Sequence, residues 1–112
     1  MSDQPDEMAR IDVSVDPAGT TVGIAGEIDL ANVDDVASRI ATQLCPPKVT
    51  IDLRDVRYLD SSGIRMLIDV AQLGAARHID LELVVAPDSM VAKVLALSRL
   101  ERIYAIRVAP KG

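Results

Sequence analysis

The sequence predicts one α/β domain with a mixed sheet, an N-terminal hairpin then parallel strands, and helices mainly on one face. Three observations carry this. Short runs of alternating apolar and polar residues are separated by segments whose apolar residues recur at helical spacing, so strands and helices take turns along the chain. Turn residues punctuate those runs. The early strands alternate rather than being solidly apolar, unlike strands buried on both faces, which leaves one face of the sheet largely exposed.

Taken in order, residues 1–9 form an acidic, polar lead-in with little to bury, expected to be flexible. Ile11, Val13 and Val15 alternate with Asp12 and Ser14, the period of a strand with one face in water. Asp16-Pro17-Ala18-Gly19 supplies turn chemistry, and Val22 and Ile24 continue a second strand, giving a hairpin. Val33, Val36, Ala37, Ile40, Ala41 and Leu44 then share one helical face, with Asn32 as cap, Asp34 and Asp35 at the positive end, and Pro46-Pro47 as the stop.

Val49, Ile51 and Leu53 make a third strand, followed by a connection from Arg54 to Leu59. A second helix covers 62–77, Leu81–Val85 a fourth strand, a third helix is capped by Asp88 or Ser89, and Tyr104, Ile106 and Val108 form the last strand. The domain thus runs over 10–108, with 109–112 as a tail. Crossovers between such parallel strands are right-handed.

Composition narrows the function. The chain has 112 residues, enough for a single core, and 49% of them are hydrophobic with no Phe or Trp, so the core is aliphatic. A net charge of -5 without Lys/Arg clusters argues against direct nucleic-acid binding. No run reaches membrane-spanning length, and the N-terminus has no apolar signal-peptide core. The single cysteine, Cys45, excludes an intramolecular disulfide and suits a reducing cytoplasm, where it reads as a small residue at a helix end.

The chemistry concentrates in Asp60-Ser61-Ser62-Gly63, where a strand's carboxyl end passes into a helix. Free backbone N–H groups and the helix dipole make such a junction hospitable to negative charge. The simplest reading has Asp60 or Ser61 capping the helix while Gly63 gives the turn room. The functional reading presents a serine hydroxyl for phosphorylation, which would add about -1.5 to -2 charges and three strong acceptors. A hydrolytic role fails. There is no G-x-S-x-G, and the lone His78 lies at the far end of the helix, about 25 Å away at roughly 1.5 Å per residue. No Cys/His cluster supports a metal. The domain reads as a binding protein, not an enzyme.

The same helix shows two apolar stripes. Ile64, Leu67, Ile68, Ala71 and Ala75 are expected on the sheet, whereas Met66, Val70 and Leu73 fall on nearly the opposite face. An exposed apolar stripe starting beside a modifiable serine reads as a partner surface, which Arg65 and Asp69 would flank.

Two segments together resemble the STAS domain family, specifically the stand-alone anti-sigma factor antagonists: "VTIDLRDVRYLDSSGIRMLIDV", residues 49–70, and "GEIDLANVDDV", residues 26–36. The resemblance extends from about residue 10 to 108. It implies that an anti-sigma factor with serine kinase activity phosphorylates Ser61, that the unphosphorylated form binds that factor and frees a sigma factor, and that a PPM-type serine phosphatase restores it. Asp29 and Asp60 match acidic positions beside the family's phosphorylation site, and ATP belongs to the kinase, so the domain itself needs no cofactor. Arg65 stands where the family often has a small residue, and Arg99 where it often has glycine. Two other roles remain open: a non-phosphorylated STAS subunit of a lipid-transport ATPase, binding through the same helix, and a small-anion or nucleotide sensor using the helix N-terminus, which no Gly-rich phosphate loop supports.

Overall fold

A computed structural model describes residues 9–111, and the expected lead-in lies outside them except for Ala9, which already belongs to a strand. The elements in chain order are β1 (Ala9–Asp16), β2 (Gly19–Ile28), α1 (Val33–Ala41), β3 (Lys48–Leu59), α2 (Ser61–Ala76), β4 (Asp80–Val85), α3 (Met90–Leu97), a short 3-10 turn (Leu100–Arg102) and β5 (Ala105–Val108). The strands lie in sequence order across one sheet. β1 and β2 are antiparallel, and every later neighbour pair is parallel.

The hairpin forms because Asp16 folds its own turn: Oδ1 accepts from the backbone N–H of Ala18 at 2.8 Å and of Gly19 at 3.2 Å. Gly19 has φ 145°, and a Cβ there would press on the Lys48 carbonyl. Each parallel crossover moves one strand further in the same direction. With a common hand, such crossovers set all three helices on one face. A single aliphatic core results, with Val22, Ile24 and Ile28 of β2 and Val49, Ile51 and Leu53 of β3 all essentially inaccessible. The opposite face carries Thr50, Asp52, Arg54, Glu82 and Arg107, crossed by ion pairs at 2.8 Å from Arg54 to Asp52 and 3.2 Å from Arg107 to Glu82. One covered and one polar face is the arrangement the strand alternation predicts.

Several local expectations need correction. Arg54–Leu59 is not a connection; β3 continues through it to Leu59. Two register shifts against β2 accommodate the surplus residues, so inward positions run Val49, Ile51, Leu53, Val56, Leu59 and the simple alternation is lost. Helix α1 stops at Ala41, before the prolines, and Cys45 is exposed beyond it. Asn32 occupies the cap position of α1 without capping it. Ser89, not Asp88, caps α3, its Oγ accepting from Ala92 N–H at 3.0 Å. Tyr104 precedes β5 and is buried, and its hydroxyl donates to the Leu67 carbonyl at 2.6 Å, tying the last loop to the middle of α2. Burial pushes that phenol's pKa up. Arg99 is held at a left-handed φ of 58°, the conformation glycine favours.

The largest correction concerns α2. Met66 and Val70 are 3% and 5% exposed and belong to the core, together with Leu67, while Ile64, Ile68 and Ala71 are only half-buried and Ala75 is exposed. Residues advance by about 100° each around a helix, so Gly63, Leu67, Val70 and Gly74 cluster on one line between the two apolar stripes. The helix seats on that line. The stripe of Met66 and Val70 faces inward and toward α1 rather than turning to water.

Candidate functional site

The site forms where β2 and β3 finish side by side. The backbone N–H of Asp60 donates to the Ile28 carbonyl at 3.3 Å, stitching the start of α2 to the end of β2. Asp29 follows Ile28 directly, so the two acidic positions of the sequence motifs sit on adjoining loops.

Asp60 is the true cap of α2. It is extended (φ -96°, ψ -172°), and its Oδ1 accepts from Ser62 N–H at 2.9 Å and Gly63 N–H at 3.2 Å. Gly63 sits against the sheet: a Cβ there would strike Leu59 Cδ1 and press Ile28 Cγ2. Only a residue without a side chain lets the first turn of α2 come this close to the strand ends. Ser61 is left at the first helical position with its side chain exposed, and its hydroxyl makes no hydrogen bond among the described residues. Ser62 is half-buried.

The neighbouring loop is held by a different side chain. The Asn32 amide donates to the Glu27 carbonyl at 2.8 Å and accepts from Asp29 N–H at 3.1 Å. The Asp29 carbonyl in turn accepts from Asn32 and Val33 N–H, and its carboxylate accepts from Ala31 N–H at 2.9 Å. This closed set of bonds thrusts Leu30 outward, where it is 76% exposed. Sequence reasoning missed Leu30; an apolar residue between two loop-forming polar ones was its only signal.

Between α1 and α2 runs an open groove of about 630 Å³ that begins at Ser61 and Leu30. Met66, Val70 and Val33 form its floor, Ala37, Ala41 and Leu73 its walls, and Asp34, Arg65 and Asp69 its charged rim. Ser61, Ser62, Arg65, Met66, Asp69, Val70 and Leu73 are thus gathered along one depression, although Met66 and Val70 offer it only the edges of buried side chains. Arg65 stands four residues after Ser61, the spacing at which helical side chains are neighbours, and it is exposed. Asp29 and Gly63 lie outside the groove and shape its mouth.

Among the described residues no group of His, Cys, Asp or Glu is placed to hold a metal ion, and no helix is long and apolar enough to cross a membrane. The arrangement offers an accessible hydroxyl at a helix N-terminus, where the dipole favours negative charge, and an apolar groove leading away from it.

Strands in sequence order, helices on one face and a serine turn at the mouth of a helix–helix groove define a class of small α/β domain. Residues 11–107 match the family described as "Mlab, STAS domain", and the chain belongs to the STAS domain family. A STAS-domain containing protein of Pseudomonas aeruginosa (strain UCBPP-PA14) is 32% identical over 97 residues, covering 83% of this chain and 92% of that protein. An anti-sigma factor antagonist from Mycobacterium paratuberculosis shares the fold with a TM-score of 0.79 at 20% identity, covering 88% of this chain and 85% of that one. A candidate anti-sigma factor antagonist from Thermotoga maritima superposes with a TM-score of 0.72 at 20% identity, covering 87% and 85%.

Proposed function

We propose that this domain is an anti-sigma factor antagonist whose binding is switched off by phosphorylation of Ser61. In the unphosphorylated state it would occupy an anti-sigma factor with serine kinase activity and free the sigma factor; a PPM-type serine phosphatase would reset it. The observation that carries the reading is the division of labour at α2. Asp60, not Ser61, caps the helix, and the Ser61 hydroxyl stands exposed at the mouth of the groove.

Phosphate on Ser61 would sit at the positive end of the α2 dipole, within an i,i+4 step of Arg65, so the fold has little reason to rearrange. A partner lying on Leu30, Arg65 and the groove would have to desolvate nearly two new charges, which opposes docking. The block is therefore local. The same surface without the phosphate would serve a STAS subunit of a transport complex, and its apolar floor suits a partner helix equally well.

Incubation with candidate anti-sigma kinases and ATP, followed by phosphopeptide mapping and affinity measurement of both forms, tests the proposal. Phosphate on Ser61 with a large loss of affinity is expected. Modification of Ser62 would sink the site assignment, equal affinity of the two forms would remove the switch, and a transport-ATPase partner indifferent to Ser61→Asp would select the other reading.

A further inference from the structure

The edge strand β1 is unlike the other edge of the sheet. β5 has four residues, whereas β1 has eight and is fully paired to β2 on its inner side. Among the described residues nothing pairs with its outer side. Ile11, Val13 and Val15 share the helix-covered face with Ile24 and Val22, yet α1 does not reach the far end: Val13 is 43% and Val15 74% exposed. Arg10, Asp12, Ser14 and Asp16 occupy the other face of the strand.

We propose that a second copy of this chain pairs with β1 edge to edge, antiparallel about Val13, to make a continuous ten-stranded sheet. In an antiparallel ladder the two residues opposite each other point to the same face and direct their N–H and C=O groups alike, so a two-fold pairing is centred on a residue. Centred on Val13, it sets Arg10 against Asp16 twice, Asp12 against Ser14 twice, Ile11 against Val15 twice, and Val13 against itself. Opposite charges meet directly, and no like charges stand directly opposite one another.

The alternatives fail on the same inspection. Centring on Asp12 opposes two aspartates on the axis, and centring on Ser14 opposes Asp12 to Asp16 twice. Centring on Ile11 joins, among the described residues, only 9 to 13, with no described residue opposite Val15. Edge strands that must stay single are short or carry charges that repel a copy of themselves; here the charges select one register. Only the Oδ1 atom of Asp16 is engaged in the hairpin turn, which leaves Oδ2 to face an arginine. Because the pairing is antiparallel and each Ser61 turn lies at the end where β2 finishes, the two turns would face opposite edges of the joint sheet, and both would remain accessible. The interface is small, so association should be weak and concentration-dependent.

Sedimentation velocity on the full chain from about 5 to about 500 μM reads this directly. The expected result is a monomer that shifts to dimer within that range. Arg10→Asp and Asp16→Arg should each weaken self-association by about tenfold or more, since both cross-strand pairs become like-charged. An equimolar mixture of these two variants should recover the dimer, because both acidic positions of the first variant then face arginines of the second. Since Asp16 also holds the turn, Val15→Lys provides a second disruption at an exposed position that leaves the monomer's core untouched. A wild-type chain monomeric throughout, a dimer indifferent to Arg10→Asp and Val15→Lys, or a mixture of folded variants that fails to re-associate would each overturn the proposal.

Discussion

Two helices begin beside the same pair of strand ends, and they begin differently. At α2 the residue before the helix caps it, Asp60 accepting two backbone N–H groups. At α1 the residue in the same position, Asn32, makes no such bond and instead binds back to Glu27 and Asp29. One polar side chain secures a helix; the other secures a loop. The lesson is that an exposed serine and an exposed leucine, Ser61 and Leu30, are both displayed by neighbours that perform the structural work for them.

Breaking the floor common to both helices should have the largest effect. Met66→Asp places an unpaired charge in the core and should cost about 3 kcal/mol or more in chemical denaturation, enough to leave much of the chain unfolded. Gly63→Ala drives a methyl group into Leu59 and Ile28 and should cost about 1–3 kcal/mol while shifting the α2 resonances selectively. The two polar side chains then separate. Asn32→Ala removes two hydrogen bonds of the β2–α1 loop and should cost about 1–2 kcal/mol, with amide exchange rising at Asp29 while α1 stays helical.

Asp60→Ala should cost about 1 kcal/mol and raise exchange at Ser62 and Gly63 instead. The smallest effect is expected from Ser61→Ala, within about 0.5 kcal/mol of wild type by thermal melting. A larger loss would make Ser61 a structural residue and erase the distinction from Asp60.

Much of this site was readable in the sequence. The hairpin, the order of elements and the D-S-S-G turn follow from alternation and turn chemistry, because each rests on residues within a few positions of one another. The seating of α2 did not follow. A count of apolar residues sees two stripes and misses the line between them, where Gly63 and Gly74 let the helix touch Leu59 and Leu81. Glycine contributes nothing to a hydrophobic pattern, yet it fixes the closest approach. The extension of β3 escaped for a related reason: where bulges intervene, inward residues fall three apart, which resembles neither a strand nor a helix. Asn32 does not cap α1 because the oxygen that would accept from the helix's first turn accepts instead from Asp29 N–H, in the loop before it.

Those bulges also bear on how such a chain can change length over evolutionary time. β3 carries two more residues than β2 across the same stretch, one taken up at each register shift. Loss of a single residue between Leu53 and Tyr58 would therefore erase one bulge and leave a tidier ladder, while shifting the frame of everything after it relative to the strand's inward positions. Leu59 would rotate out of the core or Asp60 would lose its bond to Ile28, and the serine would no longer emerge at the groove. Point substitutions on the exposed side of β3 should be tolerated, whereas one-residue deletions should be purged. The irregular strand acts as a fixed-length spacer, and the serine's address is set by counting along it.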